Sequence, residues 1–169
     1  MSVKVIVYMH ITPNGMIARE DGSGFSSKAA KNGFLRMIKK VKVNVVGRKT
    51  FEVALKKGRF PFEGLNVIVT TSKIKNKWDN VIVTDKKPRE ILNILAKKGC
   101  KAAMVGGGIL ATSFIKDGLV DELYLDIEPV VFGRGVRLFS EESFYKKLRL
   151  LSAKKFSENE MRLHYKVIN

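Results

Sequence analysis

Three consecutive glycines carry the clearest chemical signal in the chain. Gly106, Gly107 and Gly108 follow an apolar run and lead directly into a helical pattern. Glycine lets the backbone approach a ligand closely, and the N–H groups at a helix start attract anions. The segment predicts a cradle for the phosphates of a dinucleotide, although a tight turn without a ligand would use the same glycines. The predicted cradle comprises Gly106, Gly107, Gly108, Ile109 and Leu110.

The same segment also fits the Rossmann fingerprint G-x-G-x-x-A through Gly106, Gly108 and Ala111. An acid, Asp126, follows at roughly the 20-residue distance expected in that fingerprint. A Rossmann domain opens with its glycine turn and continues through several βα units, whereas the chain after this turn reads mainly as strands. We therefore expect the same phosphate chemistry in a different fold.

Two further segments with small or cationic residues follow predicted strands. They span residues 47–50, Gly-Arg-Lys-Thr, and 70–73, Thr-Thr-Ser-Lys. Ligands of open α/β sheets bind beyond the carboxyl ends of the strands, so these segments and the glycine turn would form one long anion-binding site. The first segment is not a Walker A loop, because the earlier glycine of that motif is missing.

The apolar patterning predicts the elements that hold these segments. The predicted strands are 3–11, 43–46, 66–70, 81–84, 102–105, a long strand over 122–132 interrupted at Pro129, and a hairpin of 148–156 and 161–168 after a turn at 133–135. The predicted helices are 26–40, with Ser26 or Ser27 as N-cap, then 48–55, 88–98 and the helix after the glycine turn. These elements predict one α/β domain over residues 1–169: a mixed, mainly parallel central sheet with helices on both faces and a C-terminal antiparallel hairpin.

The composition is that of an ordinary globular protein. The chain has 169 residues, of which 45% are hydrophobic and 28% charged, and this argues against disorder. No apolar run is long enough to cross a membrane, and polar residues interrupt the N-terminal run where a signal peptide would be apolar. We therefore expect a cytoplasmic protein with no membrane partner. The single cysteine, Cys100, cannot form an internal disulfide, and with two histidines it offers no metal-ligand spacing, so no metal is expected.

The formal net charge of +16 is compatible with nucleic acid, with anionic substrates or with a lysine-rich thermophile surface. The lysines occur as short doublets spread along the chain, mostly at predicted helix ends, where cations complement the helix dipole. This distribution argues against a nucleic-acid partner. The lysine enrichment and the absence of glutamine indicate a high-temperature source.

Five segments, taken in order, resemble the dihydrofolate reductase superfamily. Residues 46–52 (Val-Gly-Arg-Lys-Thr-Phe-Glu), 67–72 (Val-Ile-Val-Thr-Thr-Ser) and 105–108 (Val-Gly-Gly-Gly) look like its three cofactor motifs. Residues 119–123 and 129–135 look more like the branch that contains the reductase domain of riboflavin biosynthesis. The resemblance covers residues 3–167. It implies a dihydrofolate-reductase-like fold and NADPH as the cofactor.

The resemblance also implies roles for individual residues. Arg48 and Lys49, with Ser72 and Lys73, would face the adenosine 2′-phosphate. The pyrophosphate would be held by Thr50 and the N–H groups of Gly107 and Gly108, the nicotinamide would be lined by Ile17 and Ala18, and Gly47 and Thr71 complete the cofactor-binding set. The charges of these residues are consistent with NADPH, because its 2′-phosphate requires cations, whereas an NAD site would offer an acid. Cations at a helix start are also unfavourable unless an anion is near.

The chain departs from both patterns at its acidic positions. Folate reductases carry a carboxylate on the first helix, where a gap-free alignment places Ala30. The riboflavin branch often has Asp-Gly where this chain has Asn14 and Gly15, and its frequent Asp-Asp-Pro segment is missing here. Asp126 could compensate, since strand alternation places it on one face with Tyr124 and Glu128. There it would bind a substrate amidine or donate a proton; the alternative is an ion pair with a lysine.

The predicted function is NADPH-dependent reduction by hydride transfer. The favoured substrate is 5-amino-6-(5-phosphoribosylamino)uracil or its diaminopyrimidinone analogue, whose sugar would become a ribityl chain. The alternatives are a dihydrofolate or pterin reductase that uses Asp126 as its displaced acid, an NADPH-binding protein without turnover, and a nucleic-acid-binding protein. Apolar edges at 130–132 and in the C-terminal strand, and the dimers common among related reductases, predict a symmetric homodimer.

Overall fold

The computed structural model describes residues 2–168. Its elements are β1 (Lys4–Ile11), β2 (Met16–Arg19), α1 (Lys28–Val41), β3 (Val43–Gly47), α2 (Arg48–Lys56), β4 (Leu65–Val69), β5 (Val81–Thr84), α3 (Pro88–Lys97), β6 (Ala102–Gly106), α4 (Gly108–Lys116), β7 (Glu122–Ile127), β8 (Gly135–Arg137), β9 (Lys147–Lys155) and β10 (Met161–Ile168). Apart from the region after β7, the predicted elements agree with these to within two residues at each end.

An eight-stranded sheet forms the centre of the fold, in the order β5-β4-β3-β6-β1-β7-β10-β9. The strands from β5 to β7 are parallel, and β10 and β9 continue the sheet in antiparallel pairing. β1 lies between β6 and β7 and is buried on both faces, as its nearly continuous apolar sequence predicts. The predicted α/β architecture with a C-terminal antiparallel hairpin is confirmed.

The helices cover both faces of the sheet because alternate strand residues point to opposite sides. On one face Val5 and Val7 of β1 share a buried cluster with Leu95 of α3 and Phe114 of α4. On the other face Tyr8 packs with Ile38 of α1, and Val46 and Ile68 pack with Phe51 of α2. This second face, beneath α1, is where the polar groups of the site lie.

One predicted strand is wrong. The long strand expected over 122–132 ends at Ile127, and the chain leaves the sheet before Pro129, which has no N–H to donate to a strand ladder. The chain then forms β8, which pairs with β2 in a separate two-stranded sheet that the sequence patterning did not predict. Gly135 permits this pairing, because a Cβ there would lie 2.5 Å from the Ala18 carbonyl oxygen.

Two surface features complete the description. β9 forms one edge of the large sheet and exposes Leu148, Leu150 and Leu151. Among the described residues, 2–168, none of the helices has the length and apolarity needed to cross a membrane.

Candidate active site

The carboxyl ends of five parallel strands line one edge of the sheet in the order β4, β3, β6, β1, β7. The three predicted phosphate segments follow the first three of these strands. We call them the nucleotide half of the edge. The ends of β1 and β7 form the other half, which we call the substrate half, and carry a polar cluster. The topology therefore brings together the three phosphate segments that sequence reasoning placed in one site.

The nucleotide half has a backbone shape that only glycine satisfies. Val46 of β3 is in register with Gly106 of β6, so the turns after these strands are adjacent. Gly107 has φ 96°, in the left-handed region, and a Cβ on it would lie 3.0 Å from the Thr50 hydroxyl oxygen. A Cβ on Gly108 would overlap the Arg137 carbonyl oxygen. The first N–H groups of α4, which lack intrahelical partners, begin at this turn. The turn therefore fits a pyrophosphate.

The cationic segments lie at the exposed outer end of the nucleotide half. Arg48, Lys49, Ser72 and Lys73 are exposed, as is Thr71. α2 begins after Gly47 with two cations, and its first turn contains no acidic residue. The Arg48 guanidinium lies 3.0 Å from the Glu52 carboxylate one turn later. A bound phosphate would compete with Glu52 for Arg48, and it would relieve the unfavourable placement of cations at a helix N-terminus.

The remaining predicted cofactor residues differ in what they can offer. Ile109 is 72% exposed at the rim, whereas the Leu110 side chain is buried in the core, so only the N–H of Leu110 can face a ligand. Ile17 and Ala18 are half-buried on β2, where Ala18 pairs with Val136 of β8. Their contact with a nicotinamide remains a prediction.

Asp126 lies in a row of polar residues that crosses three strands. His10 of β1 and Arg162 of β10 are its register partners on either side. Asp126 is fully buried, and its two carboxylate oxygens accept hydrogen bonds from Arg162 at 2.6 and 2.7 Å. The Tyr8 hydroxyl donates a third at 2.7 Å. The partner is thus a half-buried arginine rather than a surface lysine, and both oxygens are occupied by donors. A role for Asp126 as catalytic acid remains untested.

Two neighbours hold this ion pair in place. Burial and the adjacent Asp126 carboxylate raise the pKa of the Tyr8 hydroxyl, so it remains a donor. The Arg162 guanidinium lies beneath α1, where a Cβ on Gly33 would overlap it and would lie 2.9 Å from the Tyr8 hydroxyl. Glycine at position 33 is therefore needed for Arg162 to reach Asp126.

A pair of carboxyl groups connects the end of β7 to the start of α1. Both oxygens of Glu128 accept from the Ser27 N–H, at 3.2 and 3.1 Å, while the Ser27 hydroxyl, which caps α1, also contacts Glu160. Burial raises the pKa of Glu128 to about 7, against the effect of the Ser27 N–H, and the charge of Glu160 adds to the rise. The pKa of Glu160 is lowered, because hydrogen bonds from two serine hydroxyls and from Glu128 outweigh the opposite effect of burial. At neutral pH Glu128 is therefore about half protonated, whereas Glu160 is ionised.

His10 completes the polar cluster and was not predicted from the sequence. Its Nδ1 lies 2.6 Å from the Ser26 hydroxyl oxygen. Its Nε2 lies 3.9 Å from the Asp126 carboxylate, and within residues 2–168 that buried atom has no hydrogen-bond partner. The one available signal was the alternation that places Tyr8 and His10 on the same face of a very apolar strand. The strand register that adds Asp126 and Arg162 could not be derived from it.

An open cavity of about 500 Å³ lies between the turn after β2 and the segment before β8. Its lining includes two guanidinium groups and one aromatic ring, from Arg19, Arg134 and Phe132, together with Glu20 and Asp21. The Phe132 ring packs edge-on against Phe25, the residue before Ser26. This ring contact connects the cavity wall to the residue before Ser26.

Sequence comparison identifies related proteins over nearly the whole chain. The family model of the RibD C-terminal domain matches residues 3–161. Two proteins of Bacillus subtilis (strain 168) are similar. The uncharacterized protein YwjB is 30% identical over 173 residues, which is 98% of each chain. The uncharacterized protein YyaP is 26% identical over 96% of this chain and 94% of its own length.

Solved structures share the fold. A putative riboflavin biosynthesis protein from Shewanella sp. PV-4 superposes with a TM-score of 0.86 at 20% identity, over 100% of both chains. A diaminohydroxyphosphoribosylaminopyrimidine deaminase/5-amino-6-(5-phosphoribosylamino)uracil reductase from Thermotoga maritima has a TM-score of 0.78 at 18% identity, over 99% of this chain and 57% of its own. At these identities the superpositions establish the architecture, and the family model establishes descent. The chain belongs to the RibD C-terminal domain family.

Proposed function

We propose that this protein is an NADPH-dependent reductase that acts on 5-amino-6-(5-phosphoribosylamino)uracil or its diaminopyrimidinone analogue. The observation that carries the proposal is the shared edge of the sheet, where three phosphate-type segments adjoin a cluster of titratable groups. Membership in the RibD C-terminal domain family supports it. The name of the T. maritima protein includes this reductase activity.

The cofactor assignment rests on the fit of the nucleotide half to two different phosphates. The turn at Gly107 offers N–H groups without side chains, as a pyrophosphate requires. The cations Arg48, Lys49 and Lys73 suit the additional charge of a 2′-phosphate. Bound NADPH would supply a hydride, and the protein would supply binding, orientation and a proton.

The substrate assignment rests on what the other half lacks. Position 30 is alanine, and both oxygens of Asp126 are engaged by Arg162 and Tyr8, so the carboxylate that a pterin amidine requires is missing. A sugar imine has no comparable requirement. The guanidinium groups of Arg19 and Arg134 beside the open cavity could meet the substrate phosphate.

Steady-state assays separate the candidate functions. NADPH should be oxidised in the presence of the phosphoribosylaminopyrimidine, and dihydrofolate should not replace that substrate. Turnover with dihydrofolate and none with the pyrimidine would instead support the pterin reductase. Tight NADPH binding without turnover on either compound would identify a binding protein.

A further inference from the structure

Ser26 and His10 form a hydroxyl–imidazole pair on the substrate half of the edge. His10 is the penultimate residue of β1, and Ser26 lies in the loop immediately before α1. The His10 Nδ1 and Ser26 Oγ are 2.6 Å apart, a full hydrogen bond. Ser26 is half-buried next to Phe25, whose ring borders the segment that lines the open cavity. Ser26 is therefore partly accessible from the solvent side, whereas the His10 side chain is 13% exposed.

The surroundings of the second ring nitrogen determine the tautomer. His10 Nε2 lies 3.9 Å from the Asp126 carboxylate, whose negative charge favours a proton on Nε2. In neutral His10 the Ser26 hydroxyl therefore donates to Nδ1. When His10 is protonated, Nδ1–H donates to Ser26 Oγ, and the hydroxyl hydrogen is released toward the site. The charge of His10 thus sets the direction in which Ser26 donates.

We propose that Ser26 and His10 deliver the proton of the reductive step, with Ser26 as the catalytic donor and His10 as the positioning residue that reloads it. The inference rests on the proposed function. Reduction of a C=N bond adds the hydride of the reduced nicotinamide to carbon, and the π electron pair moves to nitrogen. The nitrogen takes the Ser26 hydroxyl proton, Oγ takes the Nδ1 proton, and neutral His10 regains a proton from solvent. The nicotinamide is oxidised and the imine becomes an amine.

The other acids of the cluster are less suited to this role. Asp126 accepts hydrogen bonds on both oxygens. Glu128 and Glu160 are 2% and 7% exposed and are bound to Ser27 and to each other. The half-buried Ser27 hydroxyl caps α1 and donates to Glu160. Of these groups, only the Ser26 hydroxyl combines partial exposure with an imidazole partner.

The charged groups around His10 define its pH dependence. Burial lowers the pKa of His10; Asp126 and the Ala30 backbone act to raise it, and Arg162 and Lys31 lower it further. The nearby Glu160 carboxylate also favours the imidazolium. The net pKa lies below the ordinary value of about 6.5. The proton-loaded form is lost as pH rises through that pKa, so the rate of the reductive step should fall over the same range.

Two measurements test the relay. The first is imidazole NMR of the ligand-free protein, in which His164→Gln assigns the signals because the chain contains only two histidines. Neutral His10 should be the Nε2–H tautomer, and Ser26→Ala should shift its pKa. The second is the single-turnover rate against pH for the wild type, Ser26→Ala, Ser26→Thr and His10→Gln. His164→Gln is the matched control, since His164 lies one row away, stacked on Tyr124.

We expect Ser26→Ala and His10→Gln to slow the step about 10²-fold and to remove its pH dependence, the scale of a lost general acid. Ser26→Thr and His164→Gln should keep the wild-type profile. A neutral His10 with its proton on Nδ1 would overturn the relay whether or not any variant folds. The relay would also be overturned if Ser26→Ala had the single-turnover rate of the wild type, or if it were slower with the same pH dependence as the wild type. A wild type that does not oxidise NADPH with the pyrimidine would refute the proposed function, and the relay with it.

Discussion

At the scale of single residues, the cations of the nucleotide half are expected to select the phosphorylated cofactor. NADPH should bind at least tenfold more tightly than NADH, because charge-assisted hydrogen bonds from Arg48 and Lys49 contribute about 1.5–3 kcal/mol each. The double variant Arg48→Ala with Lys49→Ala should bind both cofactors alike in a calorimetric titration. Lys56→Ala, an exposed cation at the far end of α2, is the control. Equal affinity of the wild type for both cofactors would contradict the assignment.

Replacement of Asp126 by asparagine tests the buried ion pair. Asp126→Asn leaves the partly buried Arg162 guanidinium without its carboxylate. Loss of these charge-assisted hydrogen bonds costs about 1.5–3 kcal/mol, which is less than the cost of about 3–5 kcal/mol for a fully buried pair. Chemical denaturation should therefore show a large loss of stability. Arg149→Ala, an exposed arginine of β9, should change stability by less than about 0.5 kcal/mol. An Asp126→Asn protein as stable as the wild type would show that the ion pair is not structurally important.

At the scale of elements, the approach of α1 to the sheet depends on Gly33. In an open helix, glycine to alanine stabilises by roughly 1 kcal/mol. Here Gly33→Ala should destabilise the protein instead, because the new Cβ overlaps the Arg162 guanidinium. Asn32→Ala, on the exposed side of the same helix, should be neutral or slightly stabilising. Thermal denaturation of the two variants compares them directly, and a stabilised Gly33→Ala would contradict the described contact.

The carboxyl pair that joins β7 to α1 predicts a pH-dependent stability. Because burial raises the pKa of Glu128 to about 7, the folded state holds a proton that the unfolded state releases, and stability from this group falls as pH rises from about 4.5 to 7. Glu128→Gln cannot ionise. It should therefore be more stable relative to the wild type at pH 8 than at pH 5, by about 1 kcal/mol or more. Chemical denaturation of both proteins at pH 5 and pH 8 measures these stabilities. The same stability difference between variant and wild type at the two pH values would contradict the raised pKa of Glu128.

The nucleotide half could be predicted from the sequence, whereas the polar row and β8 could not, and the reason is physical. Glycines, cations and short apolar runs identify the nucleotide half, because each of its segments consists of residues adjacent in the sequence. The polar row of His10, Asp126 and Arg162 depends on the register of three strands from distant parts of the chain. Local periodicity does not specify that register. β8 was missed because its partner, β2, is a strand of only four residues.

At the scale of the whole molecule, the edge strand β9 supports the predicted homodimer. Leu148 and Leu150 are 42% and 52% exposed on this strand, and Met161 of β10 is 44% exposed. Residues 130–132, the other expected edge, lie outside the sheet, although Val131 is 69% exposed. Exposed apolar side chains at a sheet edge favour self-association. Light scattering should give the mass of a dimer, and Leu148→Glu with Leu150→Glu should give a monomer. A monomeric wild type at micromolar concentration would contradict the prediction.

The most direct test of the central claim follows the transferred hydrogen itself. The protein is incubated with the phosphoribosylaminopyrimidine and NADPH that carries deuterium at the transferable position of the nicotinamide, and the product is analysed by mass spectrometry. The account predicts a ribityl product that contains one deuterium on the former imine carbon. No reduced product, or a product without deuterium, would contradict it.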